Sequence, residues 1–365
     1  ITQGKKLIEF EEAVSEKVNA NYSIAVNSAT SALHLSCIAL GLGKGDYLWT
    51  SSISFVASSN CGLYCGSKVD FVDIDPLTGL MSIEALKQKL EVAKNQNKLP
   101  KILIPVHLAG ACCDMKAIYK LSFKYGFKII EDASHAIGGK YQNQYVGSCS
   151  YSDVTVFSFH PVKIITTGEG GMVLTNNHEI SEKVRMLRGH GINSHDFELD
   201  SPGPWYYEQQ LLGYNYRITD IQTALGISQL KKLDKFVMKR NEIATYYKEN
   251  LFENKFFTLL DIPNDVYSSY HLAVIRIINS NKKLHRKLFE WMRNNNVWVQ
   301  LHYWPIHLQP FYKKLGFKRG YLPNSELYSE SCFSIPLHFK TTSYEQDMIM
   351  SLLQEGIEKI NREVK

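Results

Sequence analysis

A chain of 365 residues is longer than one hydrophobic core usually supports, which predicts a large domain joined to a smaller one. With 44% hydrophobic and 21% charged residues and no low-complexity tract, the composition excludes a long disordered arm. The formal charge of +5 lacks the concentrated basic stripe of a nucleic-acid binder, so an anionic small molecule is the expected partner.

Helical spacing of Leu7, Phe10, Val14 and Val18 opens the chain, and Ser23–Val26 then reads as a buried strand running into a helix start at Asn27-Ser28-Ala29-Thr30. Strand-like runs at Tyr47–Thr50, Val69–Ile74, Ile102–Val106 and Phe127–Ile130 alternate with helical patterns over Phe55–Tyr64, Ile83–Val92 and Met115–Tyr125. This alternation predicts an α/β domain with a mostly parallel sheet. Val154–Phe159 and Gly171–Thr175 add two β segments, and one long helical pattern runs from Thr219 towards Leu251. Beyond, Leu272–Ile278 and Val297–Tyr303 read as strands among helices at Leu284–Arg293 and Tyr344–Ile360. The expected division is a large domain over 1–235 and a small α+β domain over 236–365. Gly41-Leu42-Gly43-Lys44-Gly45 imitates a dinucleotide fingerprint but follows a helix rather than a strand, so it reads as a helix stop.

Seven scattered cysteines, odd in number, form no disulfide framework and predict a reducing, cytoplasmic setting. Neither Cys61 with Cys65 nor Cys112 with Cys113 has a second pair at zinc spacing, so no metal is expected. Charged and polar residues break every apolar run short of a membrane span, so no membrane partner is expected.

Lys163 stands among apolar and small residues between Val154 and Gly171. Alone it reads as a solvated lysine at the end of a β segment, but a buried amine with a lowered pKa suits carbonyl chemistry. Pyridoxal phosphate (PLP) chemistry also needs an anion facing the pyridine nitrogen, and the strand ending in Glu131-Asp132 delivers Asp132 where ligands collect in open sheets. Glu131 should then point the other way. His135 can touch the cofactor or serve the loop. Asn27–Ala32 offers backbone N–H groups and hydroxyls to a phosphate, though a Ser/Thr helix cap reads the same way. Ser158 is a second hydroxyl, and Phe55 either covers a flat ring or packs in the core.

In this order the segments Thr2-Gln3-Gly4, Asn27–Ala32, Glu131–Ala136, Phe157–Gly171 and Gly213-Tyr214-Asn215-Tyr216-Arg217 with Asp220-Ile221-Gln222 resemble the DegT/DnrJ/EryC1/StrS sugar aminotransferase family. The resemblance implies the aspartate-aminotransferase-like PLP fold (fold type I) and a homodimer with composite active sites. It implies Lys163 as the imine lysine, Asp132 as the pyridine partner, and His135, Phe55, Ala29, Thr30 and Ser158 as cofactor contacts, with Asn215 reaching the neighbouring subunit's phosphate. Arg217, His302, Tyr303 and His307 are the implied substrate contacts. His160-Pro161-Val162-Lys163 with Thr166-Thr167 is most similar to the branch acting in pseudaminic-acid biosynthesis. That implies a UDP-linked 4-keto-6-deoxy-N-acetylhexosamine aminated at C4, with L-glutamate leaving as 2-oxoglutarate; a dTDP-linked keto sugar and a UDP-pentose stand as alternatives. A non-catalytic sugar-binding sensor would be expected to lack the lysine or the aspartate, and both are present.

Overall fold

The computed structural model describes residues 3–193, 197 and 199–364; Thr2 of the first family-like segment lies outside them. Seven short, largely apolar segments form one sheet: β1 Tyr22–Val26, β2 Tyr47–Ser51, β3 Lys68–Val72, β4 Ile102–Ile104, β5 Lys128–Asp132, β6 Val154–Ser158 and β7 Gly171–Thr175. Their order is β1-β7-β6-β5-β4-β2-β3. Strands β2 to β6 pair in parallel, and β7 runs antiparallel to both β1 and β6. Every residue of β6 and β7 is buried, as a sheet covered on both faces requires.

The cover comes from helices α1 Lys5–Val18, α2 Ala29–Ala39, α3 Ala57–Tyr64, α4 Ile83–Asn95, α5 Met115–Tyr125 and α6 His178–Arg188. Phe10, Leu86 and Ile118 from α1, α4 and α5 enter one core, and Leu33, Cys61 and Val184 from α2, α3 and α6 enter another. Gly41 takes the left-handed conformation, φ 75°, just past α2, and its N–H donates to the Ile38 carbonyl at 2.9 Å. The glycine run is therefore the helix stop that its position predicts.

The helical pattern from Thr219 to Leu251 is two helices, α7 Asp220–Leu230 and α8 Leu233–Asn250, parted at Lys231 and Lys232. Residue 235, the expected join between domains, lies inside α8. A second, antiparallel sheet holds β8 Phe257–Leu259, β9 Ala273–Ile277 and β10 Cys332–Ile335, with β9 in the middle. Tyr247 of α8, Leu288 of α9 (Lys282–Asn294) and Leu353 of α12 (Ser343–Val364) share a core with Ile275 of β9. Two shorter helices, α10 Pro310–Lys314 and α11 Pro323–Ser331, lie between α9 and β10. The expected strand Val297–Tyr303 does not form; a single bridge links Gln300 to Ser334. Among the described residues no helix is long and apolar enough to cross a membrane.

Candidate active site

The carboxyl ends of β1, β5 and β6 gather at one edge of the large sheet, where ligands bind in folds of this kind. A cavity of about 290 Å³ opens there, lined by Ala29, Thr30, Phe55, Asp132, His135, Ser158, Lys163 and Tyr303 among others. The sheet's pairing brings these distant segments together. Val26 at the end of β1 sits opposite Gly171, the first residue of β7, and Gly171 in turn lies opposite Ser158. A Cβ on Gly171 would stand 2.4 Å from the Ser28 carbonyl carbon and 2.5 Å from the Ala29 nitrogen, so this crossing admits only glycine.

The first turn of α2 is arranged to receive an anion. Ser28 caps the helix by accepting the Ser31 N–H at 3.1 Å, and the Ser31 hydroxyl donates to Asn27 Oδ1 at 2.6 Å. The N–H groups of Ala29 and Thr30 fall before the first helical bond, and both residues line the cavity. At the far side, Asp132 Oδ2 accepts the Ser58 hydroxyl at 2.6 Å, and Oδ1 accepts the Ser134 hydroxyl at 2.6 Å and its N–H at 3.2 Å. These bonds fix the carboxylate's orientation and leave lone pairs for a further donor.

Lys163 lies in the loop from β6 to β7, its N–H donating to the His160 carbonyl at 2.9 Å. Burial lowers the pKa of its amine to about 8 against the opposing pull of Asp132. Three imidazoles lie near enough to feel the charge of this amine, and His135 among them lines the cavity. Burial and then Lys163 lower His135 and His271 well below the ordinary histidine range and bring His302 to about 4, so all three are neutral at pH 7. The His135 and His271 rings stand 4.4 Å apart. The Tyr303 hydroxyl is 3.1 Å from His135 Nε2, and its ring lies 6.5 Å from that of Phe55. Tyr328 donates to the His302 carbonyl at 2.8 Å, and His302 Nδ1 meets Ser334 Oγ at 2.8 Å, which anchors the segment carrying Tyr303.

Glu131 does point the other way, and its Oε2 lies 2.7 Å from His107 Nε2. With Cys112, these two side chains bring donor atoms within 4.8 Å of one another. The Cys113 N–H donates to His107 Nδ1 at 3.3 Å, which puts the ring's proton on Nε2, facing Glu131. The imidazole then has no lone pair for a metal ion, and the cluster reads as a buried brace beneath β5.

Four expected residues do not line this cavity: His302, whose Nδ1 is held by Ser334, and His307, Asn215 and Arg217. His307 is fully buried, with Nδ1 2.7 Å from Ser52 Oγ and Nε2 3.1 Å from Glu326, so both ring nitrogens are engaged in packing. Asn215 and Arg217 lie on a segment whose alternate residues, Tyr214 and Tyr216, pack on His34, and Asn215 is exposed. Ser58, Ser134 and His271 were not predicted. Ser134 sits two residues from Asp132 and a local hydroxyl signal marks it, whereas Ser58 and His271 meet the site only through tertiary packing.

A helix start for a phosphate, a braced carboxylate for a ring nitrogen and a low-pKa amine for an aldehyde line one cavity, and this donor set fits PLP. The pattern of the DegT/DnrJ/EryC1/StrS aminotransferase family matches residues 1–354. Over 360 residues the chain is 38% identical to the UDP-4-amino-4,6-dideoxy-N-acetyl-beta-L-altrosamine transaminase of Campylobacter jejuni subsp. jejuni serotype O:23/36, covering 97% of this chain and 92% of that one. It superposes with a TM-score of 0.89 on Helicobacter pylori PseC, an aminotransferase involved in the biosynthesis of pseudoaminic acid, at 32% identity, covering 98% of this chain and 92% of that one. The PMP-form of the putative sugar aminotransferase Spr1654 from Streptococcus pneumoniae also gives a TM-score of 0.89, at 27% identity, covering 99% and 94%. The chain thus belongs to the DegT/DnrJ/EryC1/StrS aminotransferase family and is a PLP-dependent sugar aminotransferase.

Proposed function

We propose that this enzyme aminates C4 of a UDP-linked 4-keto-6-deoxy-N-acetylhexosamine with L-glutamate as donor, as in a pseudaminic acid-type pathway. The observation that carries the chemistry is the buried amine of Lys163, lowered to about 8, sharing one cavity with the braced Asp132. The UDP-sugar assignment is supported by the Campylobacter relative, whose name specifies such a transaminase and which matches nearly the whole chain.

When bound, PLP supplies an aldehyde carbon for the amino group and a ring that accepts electrons. In this reading Ala29, Thr30 and Ser158 hold the phosphate, Asp132 keeps the ring nitrogen protonated, and Phe55 and His135 contact the ring. Lys163 anchors the cofactor and acts as the proton carrier, taking a proton from the donor's Cα and later delivering one to C4 of the sugar. A lysine titrating near 8 is suited to both directions, since its two protonation states lie close in energy at neutral pH. His302 and Tyr303 face the sugar, and Asn215 and Arg217 complete the site of a partner subunit.

Borohydride treatment of the yellow holoenzyme should fix the cofactor to the Lys163 peptide, and Lys163→Ala should abolish turnover. A label on Lys140 or another lysine would falsify the assignment. UDP-linked, dTDP-linked and free keto sugars, assayed side by side for 2-oxoglutarate release and product mass, test the substrate. Equal or better turnover of the dTDP sugar overturns the UDP assignment, and failure with every keto sugar points to a non-catalytic binding role.

A further inference from the structure

Six of the seven cysteines are buried, and Cys65 alone is half-buried. It follows the last residue of α3, the helix that packs against α2, and Cys37, near the end of α2, is buried with Cys61 in the core those helices share. One turn before Cys37 stands His34, which is 5% exposed. Its ring lies among aromatic neighbours, 5.4 Å from Tyr64 and 4.9 Å from Tyr214, and its Nδ1 is 3.2 Å from the Tyr216 hydroxyl. With the phenol donating to Nδ1, the ring's proton belongs on Nε2, which is buried and among the described residues has no hydrogen-bond partner. A thiolate on Cys65 supplies one: the Cys37 thiol and then His34, against burial, hold the Cys65 thiol below the usual thiol range. Burial, with Cys61 and Cys65 beside it, raises Cys37 well above that range. The two sulfurs therefore take different parts, Cys65 as the charged nucleophile and Cys37 as its protonated neighbour.

We propose that Cys65 is a peroxide-reactive thiol that closes a reversible disulfide with Cys37 across the packing of α2 on α3. In the first step the Cys65 sulfur attacks a peroxide: an S–O bond forms, the O–O bond breaks, and hydroxide leaves and takes up a proton as water. Cys65 gives up an electron pair and becomes a sulfenic acid, and the peroxide is reduced. In the second step the Cys37 sulfur attacks that of Cys65, so that the S–S bond forms, the S–O bond breaks, and the Cys37 proton departs with the hydroxide as water. His34 is a positioning residue, holding the attacking sulfur's charge through Nε2. A bond made and undone in this way suits the reducing setting that the scattered cysteines predict, where a structural disulfide does not persist. It also joins two helices that reach the candidate active site at their other ends, α2 through Ala29 and Thr30 and α3 through the Ser58 hydroxyl on Asp132.

The test is peptide mapping of the PLP holoenzyme under non-reducing conditions after exposure to hydrogen peroxide. The expected product is a cross-linked peptide holding Cys37 and Cys65, lighter than its parts by the hydrogens lost and parted again by dithiothreitol. Cys37→Ala should stop at a sulfenic acid on Cys65, trapped by dimedone, and Cys65→Ser, at a half-buried position, should abolish the cross-link. Iodoacetamide alkylation of Cys65 followed against pH reads the thiolate directly. Its midpoint should rise by about one pH unit in Cys37→Ala and in His34→Phe, a change that a merely structural role would not produce. Circular dichroism checks the fold of each variant, and the wild-type map decides even where a core variant fails to fold. A wild-type Cys65 that stays reduced in peroxide, a bond that joins any other pair, or a wild-type midpoint at the ordinary thiol value overturns the proposal.

Discussion

Lys163 is held in the cofactor-free fold at an energetic cost that pH exposes. Its folded pKa of about 8 lies below the ordinary value of 10.5 because burial penalises the ammonium. Between these values the unfolded chain binds a proton that the folded chain has lost, so the stability of the apoprotein rises with pH through that window. Below pH 8 both states are protonated and the full penalty applies. Replacing Lys163 with Met should therefore stabilise the apoprotein at pH 7 by up to about 3 kcal/mol, and the advantage should fade towards pH 10.5. Denaturant unfolding of wild type and variant at pH 7 and 10 measures it; an advantage independent of pH would show the lysine to be solvated. Asp132 offers a complementary experiment. Asp132→Asn keeps the shape and an oxygen for the Ser134 donors, obliges the Ser58 hydroxyl to accept from the amide NH2 instead of donating, and removes the charge, so the variant should still bind PLP while turnover falls by roughly a hundredfold or more. A near-normal rate would remove Asp132 from the role of pyridine partner.

Gly171 shows how an element's placement becomes a binding property. With backbone atoms 2.4 and 2.5 Å from its hypothetical Cβ, Gly171→Ala must push β7 away from the first turn of α2, where overpacking costs about 1–3 kcal/mol. The loss should appear as a lower melting temperature together with weaker PLP retention, measured by dialysis and absorbance; a variant with both unchanged would show that the crossing can relax. Much of this arrangement is legible in the sequence, because the apolar runs that become β1 to β7 are short, bounded by polar turns and too buried to be mistaken for surface. The misses have a common physical cause. Val297 and Val299 are 2% and 0% exposed, so the alternation that suggests a strand there is real, but alternation reports burial and not ladder hydrogen bonds, of which the segment has one bridge. The apolar spacing likewise continues through Lys231 and Lys232, where no glycine or proline marks the break between α7 and α8. Asp132 and Lys163 stand out because each is an ionisable residue at the end of an apolar run. Ser58 and His271 carry no such contrast, and His307 resembles a ligand in sequence while serving as a buried link between Ser52 and Glu326.

At the scale of the whole molecule, the segment 213–217 divides its side chains between the fold and the surface. Its tyrosines are committed inward: the Tyr214 and Tyr216 rings stack at 5.0 Å and pack against His34, and the Asn27 N–H donates to the Tyr216 carbonyl at 2.9 Å. The alternation that half-buries the tyrosines leaves Asn215 exposed, and it does not line its own chain's cavity. Nearby stretches leave Leu212 82%, Ile221 72% and Trp205 76% exposed, an apolar display costly for a monomer in water. A two-fold contact would cover such a surface and present Asn215 and Arg217 to the neighbouring site, each chain completing the other's. On this proposal Lys163→Ala and Asn215→Ala homodimers should each be nearly inactive, and mixing them after subunit exchange should restore activity. In a hybrid, the chain with native Lys163 receives Asn215 from the lysine-lacking partner, so one of the two sites is whole. Random exchange makes half of the dimers hybrid, which sets the recovery at about one quarter of the wild-type specific activity. With one variant carrying a tag, native mass spectrometry separates the hybrid from both homodimers and confirms that exchange has occurred. A fully active monomer, or hybrids verified by mass that recover nothing, would place Asn215 and Arg217 outside the active site altogether.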